Sequence, residues 1–120
     1  MKIYGRDVGF RFTVGAQCAI AALCPGGSIQ NLDKLLDGPE NAVMENGHKL
    51  ILALNEADEA AKSFEIPGYK PRPLTMAELG SLDLATYARL QAEAMEAMRA
   101  DRQRTVEAKP QKKKKRRKRH

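Results

Sequence analysis

The residues best placed to do chemistry stand at the end of the chain. Lys112, Lys113, Lys114, Lys115, Arg116, Arg117, Lys118 and Arg119 form an unbroken cationic run before His120. Such a run can neutralise phosphates, with a steep dependence on salt. It can equally steer the chain to an acidic protein surface, or simply keep it soluble. No aromatic is interleaved with it, so stacking on single-stranded bases is not on offer. Residues 109–120 hold six Lys and three Arg and no acid, while residues 1–108 hold twelve basic side chains against fifteen acidic ones. The pI near 9.5 therefore describes a mildly acidic body with a basic end. A nucleic-acid-binding domain spreads its basic residues over a face of the body. A terminal run reads first as a disordered tail.

The body carries no recognisable catalytic constellation, and no enzyme activity, cofactor or metal is expected. His48 sits between Gly47 and Lys49, with no Ser, Cys or acid at a nucleophile–base spacing. Gly15, Gly26 and Gly27 match neither the Walker spacing nor the dinucleotide fingerprint. Glu56, Asp58 and Glu59 lack the spacing of a calcium loop and read as a solvated helix face. Cys18 and Cys24 point to different sides of any helix that contains both, about 240° apart. They read as two reduced structural thiols.

These residues belong to a chain of 120 residues, long enough for one domain over 1–108 with a polybasic tail over 109–120. Six aromatics and no Trp leave the core to Leu, Ile, Val, Met and Ala. No apolar run approaches the ~20 residues of a membrane span. Met1–Asp7 has no apolar stretch, so no signal peptide is expected and a cytoplasmic location is the simplest reading.

Lys2–Tyr4 and Val8–Val14 read as two strands of a hairpin turning at Gly5-Arg6-Asp7, with Val8, Phe10, Phe12 and Val14 on one face. Gly15–Leu23 reads as a small-residue helix with Thr13 as a cap, stopped by Cys24-Pro25-Gly26-Gly27. Ser28 caps a short helix bearing Ile29, Leu32, Leu35 and Leu36. Pro39 opens a long helix to about Glu65, striped with Ala42, Val43, Leu50, Ile51, Leu54, Ala57, Ala61 and Phe64. Asn46-Gly47 is a soft spot that could break or kink it. The prolines of 66–74 favour an extended connector. Thr75-Met76-Ala77-Glu78 is a capping box. Asp83 caps a last helix to about Arg102 with a narrow, Met-bearing stripe through Leu84, Tyr87, Met95 and Met98. The fold expected is mainly α (α+β): an N-terminal β-hairpin, a small helical bundle and a disordered basic tail.

In its order of features the chain resembles the tail assembly chaperones of long non-contractile-tailed bacteriophages and prophages, the siphophage type. The residues that carry the likeness are Lys2-Ile3-Tyr4-Gly5, Phe10-Arg11-Phe12-Thr13-Val14-Gly15-Ala16 and Ile20-Ala21-Ala22-Leu23-Cys24-Pro25-Gly26-Gly27. The connector Pro67–Thr75, Leu82-Asp83-Leu84 and Glu93–Met98 follow. The likeness implies a small helical protein, not an enzyme, that binds the tape-measure protein and helps recruit the major tail tube protein. It implies work in the cytoplasm of the bacterial host and absence from the mature virion. Self-association is compatible with so small a core. The partner-binding candidates are Phe10 and Phe12 on the hairpin, if that face is not core, and Leu84, Tyr87, Met95 and Met98 on the last helix, whose stripe reads otherwise as ordinary packing against the 39–65 helix. The alternative is a small nucleic-acid-associated protein gripping phosphates through Lys112–Arg119.

Overall fold

A computed structural model describes the backbone of residues 1–118 and the side chains of residues 1–101. Two short antiparallel strands, β1 (Lys2–Ile3) and β2 (Arg6–Asp7), precede five helices: α1 (Val14–Leu23), α2 (Leu32–Leu35), α3 (Glu40–Glu65), α4 (Met76–Gly80) and α5 (Leu84–Lys118). The class is the expected one, mainly helical with an N-terminal hairpin. α5 runs past the end expected near Arg102, since no Gly or Pro interrupts residues 84–109. The polybasic candidates Lys112–Arg119 lie outside the residues whose side chains are described.

The hairpin is tighter than its alternation suggests. Tyr4 and Gly5 form the loop, both with positive φ (48° and 81°), as a two-residue turn requires. Arg6 and Asp7 are therefore strand, not turn, and pair with Ile3 and Lys2. The segment from Val8 onward is not a second long strand. Beyond Val8 it has no sheet partner among the described residues and runs as an extended strap over α3, where Arg11 N donates to Leu54 O at 3.1 Å. Val14 leaves the expected buried face, opens α1 and is 81% exposed.

Local chemistry sets most helix ends. The Thr13 hydroxyl accepts from Ala16 N at the start of α1. Pro25 and the positive φ of Gly26 and Gly27 stop the helix. Ser28 caps a single 3₁₀ turn, Ile29–Asn31, that leads into α2. Pro39 is the residue before α3 rather than its first. Asp83 accepts from Thr86 N and starts α5.

α3 is the axis of the molecule, with α1, α4 and α5 packed on it. Its Leu50, Ile51 and Leu54 are fully buried with Ile20 of α1, Leu79 of α4 and Leu90 and Ala94 of α5. Asn46-Gly47 does not break the helix. Asn46 Nδ2 donates to Leu35 O at 2.9 Å, tying down α2. Gly47 makes room for Tyr87: a Cβ there would stand 3.4 Å from the phenol oxygen. Phe64, expected in the core stripe, is instead 90% exposed. It stands in the last turn of α3 and lines an open surface hollow together with the small Thr13 and Gly15.

Long-range polar contacts complete the frame. The two terminal nitrogens of Arg6 donate to the two carboxylate oxygens of Glu78, each at 2.8 Å, joining β2 to α4. Thr75 N adds a donor at 3.0 Å in the capping box. These donors, Arg6 foremost, hold the Glu78 carboxyl down at about 2, against 4.5 for a free side chain. Because the native value is the lower one, the stabilisation is complete above pH 4.5 and is lost as pH falls toward 2. Glu78→Gln is expected to cost roughly 1 kcal/mol at neutral pH, allowing for solvent screening of a partly exposed pair. It should also flatten the acid limb of stability over that window. Urea unfolding across pH measures both; an acid limb as steep as the wild type's would place the effect on other carboxylates.

Candidate functional site

Three residues of one α3 face are polar and buried: Asn55, Asp58 and Glu59. Their spacing turns them away from α1 and toward the two segments that have no regular partners. Asn55 Nδ2 donates to Gly9 O of the strap at 2.9 Å, and its Oδ1 accepts from Leu74 N of the connector at 2.7 Å. Glu59 Oε1 accepts from Tyr69 OH at 2.7 Å and Arg72 N at 2.8 Å, holding the connector one turn further on. Asp58 meets Arg11 Nε at 3.3 Å and Lys62 Nζ at 2.9 Å. Arg11 also donates to Glu65 at 2.7 Å. The strap lies so close that a Cβ on Gly9 would come within 2.6 Å of Asp58 Oδ2.

The expectation of a solvated face at Glu56, Asp58 and Glu59 thus holds only for Glu56; the other two are covered by the strap and connector. Each buried charge has a partner, as burial requires. The hydrogen bond to Glu65 is the main cause raising the Arg11 guanidinium, against the effect of burial. The contact with Asp58 likewise raises the Lys62 ammonium, and the bond to Glu59 raises the Tyr69 phenol. The cluster acts as a fastening: its donors and acceptors are largely taken up by one another, and Asp58 Oδ2, which has no hydrogen-bond partner among the described residues, is held by its ion pair with Lys62. Among the described residues no three His, Cys, Asp or Glu converge on a metal position.

The open surface lies on another side of α3. A groove of about 710 Å³ runs between α1 and α3. Ala19 and Leu23 of α1 form one wall; Leu52, Ala53, Ala57 and Ala60 of α3 form the other. Lys49 and Glu56 stand on its rim, and exposed Phe64 closes one end. It exists because the facing side chains are short. α1 is buried through Ala16 and Ile20, and most of the facing positions beyond them are alanines. No helix among the described residues is long and apolar enough to cross a membrane.

The partner-binding candidates are scattered by the fold. Tyr87 and Met98 are 6% exposed and belong to the core. Burial raises the Tyr87 phenol, which lies 2.9 Å from His48 Nδ1. Met95 is half-buried against the same core. Phe10 and Phe12 are half-buried and line a second hollow of about 720 Å³ beside Asp58 and Ala97. Only Leu84, in the first turn of α5, is freely exposed, at 80%. The six therefore form no common face. Cys24 is buried and Cys18 exposed, both as free thiols. Ala57, expected in the core stripe, packs against the core and also lines the groove, and Ala61 is half-buried at its edge. The signal of the groove was the run of alanines at 53, 57 and 60 in phase with Phe64.

No protein-family model, curated protein or solved structure matches the chain.

Asn55→Ala leaves Gly9 O and Leu74 N without their partner in a water-poor interior. The expected loss is about 2–4 kcal/mol, since each orphaned group costs ~1–3. Glu56→Ala, on the exposed side of the same helix, is expected to stay within about 0.5 kcal/mol. Equilibrium urea unfolding of both variants compares them; equal midpoints would deny Asn55 its clamping role.

Proposed function

We propose that the chain is an assembly chaperone that holds the apolar face of a helical client, in the manner of the phage tail chaperones its sequence resembles. The client in that setting is the tape-measure protein, with the major tail tube protein as the second partner and the host cytoplasm as the place of work. The observation that carries the proposal is the α1–α3 groove. It is long, open and apolar, and its alanines let another helix approach to the ~8–10 Å of ordinary helix packing. Recognition of this kind lays one apolar stripe into a groove and asks little of the client beyond that stripe. A surface of Ala and Leu with a single Phe makes many modest contacts rather than one dominant anchor. That suits a chaperone, which must let its client go.

The binding surface in this proposal differs from the one expected on the last helix. Tyr87 and Met98 are occupied in the core, so the client is assigned to α1 and α3. The polybasic end becomes an accessory, and the nucleic-acid alternative rests on that segment of sequence alone.

Ala60→Trp fills the groove from an exposed position, so stability is expected to change by no more than about 0.5 kcal/mol. Co-expression with a tape-measure protein, followed by capture in high salt with nuclease, is expected to recover a soluble complex with the wild type. The variant should lose roughly tenfold or more in affinity, or about 1.4 kcal/mol. A complex unaffected by Ala60→Trp would move the client elsewhere. No complex with the wild type would remove the chaperone reading, and nucleic acid recovered at low salt instead would favour the tail.

A further inference from the structure

We infer that a second copy of this chain fills the α1–α3 groove when no client is bound, its α3 lying antiparallel to the first. The groove commits to this occupant through its rim charges. Lys49 and Glu56 are seven residues apart on α3, two helical turns or about 10.5 Å along the axis, and nearly in line. Glu56 is exposed and has no hydrogen bond or ion pair among the described residues. Among the described residues Lys49 meets only Glu45, at 3.4 Å, and both side chains stay substantially exposed. Each rim charge is therefore available to an incoming helix.

A helix that enters this groove is read by those two charges. It must present an acid to Lys49 and a base to Glu56, two turns apart. α3 itself, reversed, does so. In-register parallel pairing would set Lys49 on Lys49 and Glu56 on Glu56, which repel. Antiparallel pairing about a two-fold axis between Leu52 and Ala53 sets Lys49 of each copy against Glu56 of the other. One register thus makes two ion pairs, and it places Leu52 and Ala53 where the helices cross, with the small Ala53 permitting close approach. The same register lays Phe64, 90% exposed in the single chain, over the first turn of the second α3 near Ala42. The surface is self-complementary and closes as a dimer, with no repeat left over for further growth.

Client and second copy then compete for one groove. That consequence, unlike the dimer itself, rests on the chaperone reading given above. Pairing would cover Phe64 and the alanines until a client displaces the second copy, so free chaperone would not expose its apolar surface.

Sedimentation equilibrium over micromolar to millimolar concentrations tests the pairing without any client. The wild type is expected to show a reversible dimer weakened by salt. Lys49→Glu and Glu56→Lys each turn two attractions into two repulsions, so each alone should weaken dimerisation by about tenfold or more. The double variant K49E/E56K restores both pairs with reversed polarity and is expected to recover the dimer. Circular dichroism of all four chains confirms equal helix content. A wild type that stays monomeric throughout overturns the proposal, as does a dimer indifferent to the single changes or a double variant no better than either. Capture of the tape-measure protein by a wild-type chain that stays monomeric would leave the chaperone reading standing by itself.

Discussion

One side chain joins the two parts of this molecule that have no secondary structure to hold them. The Asn55 amide donates to the strap at Gly9 O and accepts from the connector at Leu74 N. An extended segment without a sheet neighbour must find partners for its backbone groups before it can be buried. Here α3 supplies them from its own side chains, with Glu59 repeating the device one turn later for Arg72 N. The remaining elements inherit their places from this fastening. The strap leads the chain into α1, and the connector delivers Thr75 to the start of α4, where Glu78 reaches back to Arg6.

The same helix divides its circumference among three tasks. One side, with Leu50, Ile51 and Leu54, is core. A second, with Asn55, Asp58 and Glu59, is a polar clamp whose charges are matched by Arg11 and Lys62. The third, with Ala53, Ala57 and Ala60, is one wall of an open groove. Buried ion pairs add little to stability compared with apolar packing, but breaking one side of such a pair is costly. The clamp therefore acts mainly on specificity of arrangement: it admits one path for strap and connector. A rigidly held α3 is in turn what makes its open side usable, because a docking surface set on a mobile helix would have to be ordered at each encounter.

An acceptor groove built from alanine has a physical logic of its own. Small side chains lose little conformational entropy when covered, and they bring helix axes close without a deep pocket. What the groove lacks in anchoring side chains it regains in direction, through opposite charges two turns apart at Lys49 and Glu56. In the proposals made for this groove, a client or a second copy would be sorted by the order of its charges as well as by its apolar stripe.

Much of the architecture was legible residue by residue. Thr13, Ser28, Asp83 and the Thr75–Glu78 box mark helix starts because each supplies an oxygen to an otherwise unpaired N–H. Pro25 and the paired glycines mark a stop because their backbones cannot continue a helix. These are local effects, and local sequence contains them. The fates of Val8–Val14, of Asp58 and Glu59, and of Tyr87 and Met98 were not legible. Alternating apolar residues fit a sheet strand or a strap over a helix equally well. An acidic run looks solvated until a distant Arg11 or Tyr69 covers it, and a Met-bearing stripe serves core and client alike. The sequence by itself determined where most helices begin, where α1 stops, and that the body is mildly acidic. Only the tertiary structure decided which face of α3 is core, clamp or groove, because that choice depends on which residues far away in the chain come to lie against it.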